Sequence, residues 1–203
     1  MITLYYLPGA CSLASHLSLI EAGIAHEAYA VDRQTKRTTN GLDYLSINPK
    51  GYVPALVLDS GEVLTESPAL LTYIGALNPA SRLIPAPGTL GHFRVAEWCC
   101  YVGSEVHKNL SPLFRPDASD ALKATQRELA THRLRLAEAA LDGRPFLTGS
   151  DFTVADAYLY VTLSWSPRTG IDLAALPRLA DFHERVRQRP AVQAARRDEG
   201  LPA

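Results

Sequence analysis

Cys11 stands where a short apolar segment gives way to an amphipathic one, which places a thiol at a predicted helix start. Residues 2–7 are typical of a strand, Pro8-Gly9 ends it, and apolar residues then recur on one helical face: Leu13, Leu17 and Ile20. The free N–H groups and the dipole of a helix N-terminus can lower a cysteine pKa from about 8.5 to roughly 3.5–7.5. Cys11 is therefore either a reactive thiolate or a small buried residue, as most unpaired cysteines are.

His107 is a second group that could move a proton, and it lies on an unusually polar helical face. That face is formed by residues spaced four, three, four and three apart: Phe93, Glu97, Cys100, Ser104 and His107. The opposite side is apolar and is formed by Val95, Trp98, Val102 and Val106. Such a helix can bury its apolar side and present His107 to a cleft, where an imidazole can donate a hydrogen bond to a thiolate or carry its proton. A lone histidine is also often structural or simply exposed.

The first half of the chain carries the strand signals. Strands are predicted at four places: 2–7, 26–31, 55–58 and 62–65. Helices are predicted to end near residue 22 and to run over 68–77, and residues 32–41 form a polar surface loop or frayed helix. The order βαβ, then ββα makes the first two strands parallel with a right-handed crossover and the last two an antiparallel hairpin.

The second half carries only helical signals. A segment rich in proline and glycine, residues 80–88, is typical of a linker and separates the halves. Helical spacing then marks four stretches: 91–110, 119–141, 153–164 and 179–189. Thr153 and Asp156 form a capping box, with Phe152 at the staple position before it. We therefore expect an α/β domain over 1–79 and an all-helical domain over 89–203.

The net charge and composition of the chain limit the classes of partner that we expect it to bind. With 20 Lys plus Arg against 21 Asp plus Glu, the net charge is −1, so we expect neither nucleic acid nor an anionic membrane as a partner. No apolar stretch is long enough to span a membrane and no secretory leader begins the chain, which makes the cytoplasm the expected compartment. The 3 cysteines are arranged neither as a disulfide framework nor as a metal-ligand set, so no metal is expected.

Four segments together resemble the bacterial beta class of the glutathione S-transferase superfamily. They are YYLPGACSLASH at 5–16, NPKGYVPAL at 48–56, LTES at 64–67 and EVHK at 105–108. The resemblance extends from end to end and implies a thioredoxin-like, glutathione-binding domain over 1–79 followed by the helical domain. It also implies a homodimer, with glutathione as cosubstrate and no tightly bound cofactor.

The resemblance assigns glutathione contacts to residues of the first domain. It implies a cis peptide bond between Val53 and Pro54, where composition alone favours trans because only about 5–6% of X-Pro bonds are cis. The Val53 backbone then pairs with the cysteinyl group of the tripeptide. Ser67, placed by the sequence at a helix N-cap, binds the γ-glutamyl carboxylate, while Glu66 pairs with its ammonium. Lys36 meets the glycyl carboxylate.

The resemblance places the remaining site residues on the helical domain. It sets His107 beside the Cys11 sulfur as the second catalytic residue and puts Ser104 and Lys108 in the glutathione cleft. Lys108 adds positive potential there, although a lysine in this position is also typical of an ordinary solvated surface.

One position departs from the family pattern, because beta-class members commonly carry asparagine where this chain has Cys100. A cysteine replaces the amide's hydrogen bonds poorly. Three interpretations of Cys100 are open. Glutathione binding is weaker near this residue, or Cys100 adds a second thiol to the cleft. The preferred interpretation is that Cys100 is buried as a small apolar side chain. Ala10, Leu110 and Trp165 are expected around an apolar substrate site, and ordinary core packing explains them equally well.

The sequence thus predicts a homodimeric glutathione transferase of the cytoplasm. Cys11 can support conjugation of glutathione to electrophiles, including chlorinated aromatic ones, and glutathione-dependent thiol-disulfide exchange or dehalogenation. The alternative is a non-catalytic ligand-binding or stress-regulatory protein with the same fold. Such a protein is expected to lack the thiol or the Glu66-Ser67 pair, and this chain has both.

Overall fold

A four-stranded mixed sheet organises the first half of the chain in the computed structural model, which describes residues 1–202. Its strands are β1 (Ile2–Tyr6), β2 (His26–Ala30), β3 (Ala55–Val57) and β4 (Val63–Thr65). They lie in the order β2-β1-β3-β4, with β1 parallel to β2 and β3 antiparallel to both β1 and β4. The predicted strand directions are therefore confirmed.

Helices cover this sheet and close its core. They are α1 (Ser12–Glu21), the short α2 (Tyr44–Ile47) and α3 (Ser67–Leu77). The buried cluster between the sheet, α1 and α3 consists of apolar side chains: Leu4, Tyr6, Leu19, Leu56, Leu70 and Ile74. Helix α2 is not predicted by the sequence, because four residues are too few to show a helical period. Its N-terminus is capped by the Asp43 side chain, which accepts a hydrogen bond from the Leu45 N–H at 3.0 Å.

The second half is helical, as predicted. Its α-helices are α4 (Leu90–Tyr101), α5 (Lys108–Leu110), α6 (Asp120–Ala140), α7 (Val154–Leu163), α8 (Ser166–Thr169), α9 (Pro177–Arg187) and α10 (Pro190–Asp198). A π-helical segment, Val102–His107, joins α4 to α5, and 3₁₀ turns occupy Pro79–Ser81, Ser111–Phe114 and Leu173–Ala175. The last predicted helical stretch ends at residue 189, and Pro190 then opens a further helix, α10, since proline fits the first helical turn.

Helix α7 is the centre of the helical domain, and every one of its residues is buried. The predicted capping box is present at the N-terminus of α7. The Asp156 carboxylate accepts hydrogen bonds from the Thr153 N–H at 2.8 Å, from the Thr153 hydroxyl at 2.7 Å and from the Leu147 N–H at 2.8 Å. Burial raises the pKa of Asp156 to about 6, and these hydrogen bonds partly oppose the rise.

The two halves are held together close to Cys11. Helix α1 packs against α7 and α10, and one continuous apolar cluster runs from Leu13 and Leu17 into the helical half. Residues 82–89 contain no helix or strand, while the exact limits of the two domains stay a prediction. No helix within residues 1–202 is long and apolar enough to cross a bilayer.

Candidate active site

Cys11 lies where three segments of the first half meet. It directly precedes α1 with its backbone already helical, at φ −57° and ψ −25°, and the residue is 9% exposed. Its Sγ donates a hydrogen bond to the Val53 carbonyl at 3.3 Å, and the Ser67 side chain lies close enough to lower the pKa of the same thiol. The loop after β1, the loop before β3 and the first turn of α3 therefore converge on one sulfur atom.

Of the two alternatives for Cys11, a reactive thiolate or a small buried residue, the geometry favours the buried residue. Burial raises the pKa of the Cys11 thiol to about 11. Hydrogen bonding by Ser67 and by the N–H groups at the start of α1 lowers the pKa without offsetting burial, and the Glu66 charge adds to the rise. A buried thiolate loses hydration that a helix N-terminus does not replace. Burial therefore favours the thiol form of Cys11, which donates its hydrogen to the Val53 carbonyl.

The loop before β3 exposes backbone groups beside this thiol. The peptide bond between Val53 and Pro54 is cis, as the resemblance implies and contrary to what composition alone predicts. The Val53 carbonyl accepts the Cys11 hydrogen bond, whereas the Val53 N–H has no hydrogen-bond partner within residues 1–202. An unpaired N–H next to a thiol is suited to a peptide-like ligand.

The start of α3 differs in one detail from the predicted N-cap. Ser67 is the first helical residue, and the residue before it, Glu66, takes the cap position with φ 72° and ψ 120°. A positive φ in a residue other than glycine costs on the order of 1–3 kcal/mol and is often found at ligand sites. Ser67 is buried, while the exposed Glu66 carboxylate pairs with Lys50 Nζ at 2.7 Å.

Two lysines flank the same loop. Lys36, with φ 57°, donates a hydrogen bond from Nζ to the Gly51 carbonyl at 3.0 Å. Lys50 donates to the Thr65 hydroxyl at 3.0 Å in addition to its contact with Glu66. The structure thus puts Lys36 beside the cis-proline loop and adds Lys50, which the sequence analysis did not select because a single lysine carries no spacing signal.

His107 ends the π-helical segment and faces α7 rather than Cys11. Its Nδ1 hydrogen-bonds with the Tyr158 hydroxyl at 2.8 Å, and its ring packs edge-on against Trp165 at a centroid distance of 5.0 Å. Burial, followed by the charge of Lys108, lowers the pKa of His107 to about 4, so the imidazole is neutral at pH 7. Within residues 1–202, no hydrogen bond joins His107 to Cys11.

Cys100, Ser104 and Lys108 are exposed, and the first two belong to the polar face predicted for this helix. The preferred interpretation of Cys100 as a buried side chain is wrong, because it is its neighbour Cys99 that is fully buried. The two side chains point about a quarter turn apart, so only one of them can face the core. Ser104 contacts the Glu105 carboxylate at 3.5 Å, and none of the three exposed residues hydrogen-bonds to the Cys11 thiol.

The residues expected around an apolar substrate site differ in their burial. Leu110 is buried in the helical core, and Ala10 is half-buried in the loop after β1. Trp165 is also buried and joins the two halves, since its Nε1 donates a hydrogen bond to the Gly9 carbonyl at 2.8 Å. Trp165 therefore fixes the loop that precedes Cys11 and packs against His107 at the same time.

Comparisons with known proteins agree with this geometry. Residues 9–77 match the family profile of the glutathione S-transferase N-terminal domain, and residues 101–190 match that of the C-terminal domain. Glutathione S-transferase GstA of Escherichia coli O157:H7 is 41% identical over 198 residues, which cover 98% of each chain.

Two solved structures resemble this chain over nearly their whole length. A sphingomonad glutathione S-transferase complexed with glutathione is 48% identical, with a TM-score of 0.95 over 98% of this chain and 100% of the other. A bacterial beta class glutathione S-transferase of Sphingomonas chungbukensis is 44% identical, with a TM-score of 0.94 and the same coverage.

Proposed function

The chain belongs to the glutathione S-transferase family and, within it, to the bacterial beta class, and from this premise we propose that Cys11 and His107 form its catalytic pair. It is a glutathione transferase that uses glutathione as cosubstrate. The observation that carries the proposed pair is the convergence of the Val53 carbonyl and the Ser67 side chain on the Cys11 thiol. His107 hydrogen-bonds through Nδ1 with the Tyr158 hydroxyl at 2.8 Å.

In this proposal, the Cys11 thiol first acts as a hydrogen-bond donor. A protonated thiol at the N-terminus of α1 can donate its hydrogen to the sulfur of bound glutathione and so stabilise the glutathione thiolate, in exchange for its bond to Val53. The glutathione thiolate then attacks the electrophilic carbon, and a leaving group such as chloride departs with the bonding pair. The neutral His107 contributes a second N–H donor to the same site.

In the same proposal, thiol-disulfide exchange is a slower reaction than conjugation at neutral pH. The Cys11 thiolate attacks oxidised glutathione, forms a mixed disulfide and releases one glutathione thiolate. Because burial raises the pKa of Cys11 to about 11, only a small fraction of Cys11 is ionised at pH 7. We therefore expect exchange to accelerate roughly tenfold per pH unit between pH 7 and 9, whereas conjugation depends on the thiol as donor and does not accelerate in this way.

The glutathione contacts are proposed for eight residues of the two halves of the chain. They are Lys36, Val53, Pro54, Glu66, Ser67, Cys100, Ser104 and Lys108. The unpaired Val53 N–H and the buried Ser67 support the first-domain contacts most directly. Because Glu66 is paired with Lys50, the ammonium of glutathione must compete with that lysine for the carboxylate.

Conjugation and adduct formation test the catalytic proposal together. The wild type and the variant Cys11→Ala are each mixed with glutathione and a chlorinated aromatic acceptor, and separately with oxidised glutathione, with product and intact mass measured. We expect a glutathionyl adduct on Cys11 of the wild type, located by peptide mass mapping because Cys100 is a second, exposed thiol, and at least a tenfold loss of conjugation in the variant. Cys99→Ala, which removes a buried thiol away from the site, serves as the control. Full conjugation by Cys11→Ala contradicts the proposal.

A homodimer is proposed from the exposed apolar surface of α4. Leu90 is 71% and Phe93 60% exposed, and such large apolar side chains are commonly covered by a partner. Light scattering is expected to give twice the chain mass of 22.1 kDa, falling to the single-chain mass in Phe93→Asp. A wild type at single-chain mass contradicts the dimer. The cytoplasmic location stays a prediction.

A further inference from the structure

Trp165 is the middle member of a series of aromatic rings that begins at His107. The Trp165 ring packs against the His107 ring with centroids 5.0 Å apart, and against the Phe114 ring with centroids 5.5 Å apart and planes at 89°. His107 and Phe114 are half-buried, whereas Trp165 is buried. Because Trp165 also donates a hydrogen bond to the Gly9 carbonyl, the series is fixed to the loop that leads to Cys11.

Arg168 adds a positive charge to the end of this series. Its Cζ lies over the Phe114 ring, 4.8 Å from the ring centroid, which is the geometry of a cation–π contact. Arg168 belongs to the short helix α8, where its backbone N–H donates a hydrogen bond to the Trp165 carbonyl at 2.9 Å. Arg168 is therefore held by two of the three rings, by one through its side chain and by the other through its backbone.

The Arg168 guanidinium has donors available for an anion. A cation–π contact leaves the in-plane N–H donors of a guanidinium free to bind a carboxylate. The Arg168 side chain is exposed and makes no ion pair or hydrogen bond within residues 1–202. Arg178 and Arg187, in contrast, each pair with carboxylates of the protein itself. Arg168 is thus a cation held in position against an aromatic ring, and no described residue supplies its anion.

We propose that Phe114 and Arg168 complete the acceptor side of the active site and select aromatic electrophiles that carry a carboxylate. The ring of the electrophile packs against the aromatic series, and its carboxylate binds the N–H donors of Arg168. The acceptor belongs to the same active site as the catalytic pair, so this inference rests on the proposed function. It adds a charge requirement to the apolar substrate site expected around Ala10, Leu110 and Trp165.

The carboxylate of the electrophile takes no part in the bond changes. The glutathione sulfur forms a bond to the ring carbon, chloride leaves with the electron pair of the carbon–chlorine bond, and the proton of the glutathione thiol passes to solvent. The carboxylate, at another position of the ring, stays bound to Arg168 throughout. Because this contact is equally strong before and during the attack, it should act on the KM for the acceptor rather than on kcat.

Two acceptors that differ in charge test this selection: a chlorodinitrobenzoate and the corresponding benzamide, which has the same ring and leaving group. The preference is the ratio of kcat/KM for the benzoate to kcat/KM for the benzamide, measured in the wild type, Arg168→Gln and Arg115→Gln. Arg115 is the control, because it is exposed and directly follows Phe114 but makes no cation–π contact within residues 1–202. We expect Arg168→Gln to lower the preference about tenfold through the KM for the benzoate, and Arg115→Gln to lower it by less than about twofold.

Salt and the supporting ring give two further readouts. Raising the KCl concentration should lower the preference of the wild type and leave that of Arg168→Gln almost unchanged, since dissolved ions screen a charge pair. Phe114→Leu keeps an apolar side chain but removes the ring below the guanidinium. We expect this variant to lower the preference about threefold, in line with the free energy of an exposed cation–π contact.

Three results would overturn the proposal: a wild-type preference in Arg168→Gln, equal losses in Arg168→Gln and Arg115→Gln, or a wild type that does not conjugate the benzoate. The failure of the proposed function gives a different result. If Cys11→Ala conjugates both acceptors normally while Arg168→Gln has lost the preference, the catalytic pair fails and the acceptor site stands. If Cys11→Ala loses conjugation while Arg168→Gln keeps the preference, only the acceptor site fails.

Discussion

At the scale of single residues, the Cys11 sulfur is subject to two opposed influences. Hydrogen bonding by Ser67 and by the N–H groups at the start of α1 favours the thiolate, while burial favours the thiol and is the larger effect. The balance makes Cys11 a donor at neutral pH. In the proposed mechanism, Cys11 therefore activates the sulfur of glutathione rather than its own.

Ser67 connects this thiol to the glutathione site, so its removal should affect both. We expect Ser67→Ala to weaken retention on immobilised glutathione by about tenfold, because the variant loses a hydroxyl at the buried end of the proposed site. Its thiol pKa should also rise, since hydrogen bonding by Ser67 lowers it in the wild type. Elution by free glutathione measures the retention. Ser60→Ala, in the exposed β3–β4 turn, is the control, and equal retention of the two variants contradicts the assignment.

The sequence predicted which residues meet at Cys11 better than it predicted their electrostatics. A helix N-terminus is a local feature, and residues 2–20 suffice to place the thiol there. Burial, in contrast, depends on α3 and the loop before β3, which close over the sulfur from distant parts of the chain. The contact between His107 and Tyr158 joins residues 51 positions apart, so no spacing pattern could reveal it.

At the scale of elements, α7 depends on its capping box. Asp156 accepts hydrogen bonds from two buried N–H groups and one hydroxyl, and its loss would leave these donors unpaired. We expect Asp156→Ala to lower the free energy of unfolding by about 2–4 kcal/mol, measured by denaturant unfolding. Asp151→Ala, at an exposed ion pair, should change it by less than about 0.5 kcal/mol. Equal losses in the two variants would contradict a structural role for the box.

Asp156 also makes the free energy of unfolding depend on pH. The pKa of Asp156 is about 6 in the folded state, against 3.8 for an ordinary aspartate, so folding favours its protonated form. This contribution to stability is complete below about pH 4 and is lost as the pH rises through 6, by about 3 kcal/mol in all. The stability difference between the wild type and Asp156→Ala should therefore shrink over this range, and a difference that grows with pH contradicts the pKa.

Elements with a clear period were found from the sequence, and elements without one were missed. The strands of the first half and helices α4, α6, α7 and α9 carry alternation or helical spacing over enough residues to be recognised. Helix α2 has four residues, and α10 begins at Pro190, which is as suited to starting a helix as to ending one. The cis bond before Pro54 followed only from the resemblance.

At the scale of the whole molecule, the C-terminal residues hold the loop that carries Cys11. The buried Glu199 carboxylate accepts a hydrogen bond from the Gly9 N–H at 2.9 Å and contacts His16 Nδ1 at 3.0 Å. Trp165 donates to the Gly9 carbonyl from the other side. One glycine of the β1–α1 loop is thus bound through both of its backbone polar groups by the helical half.

We expect Glu199→Gln to weaken the contacts that hold the β1–α1 loop to the helical half. The amide offers only one acceptor oxygen for two partners, so we expect a loss of about 1–3 kcal/mol in unfolding free energy and a lower kcat from a less fixed Cys11 loop. Thermal unfolding and steady-state rates measure the two effects. Asp198→Asn, exposed and 4.0 Å from His16, is the control and should be nearly neutral. Wild-type stability in Glu199→Gln would contradict the role of this contact.

The protonation of Cys11 is the property on which the catalytic account depends, and thiolate absorbance measures it directly. A pH titration of the wild type minus that of Cys11→Ala isolates this sulfur from Cys99 and Cys100. The structure predicts a midpoint near pH 11, with the thiol protonated at neutral pH. A midpoint below about 8.5, the value of an unperturbed cysteine, would contradict the account, because Cys11 would then work as a thiolate rather than as a donor.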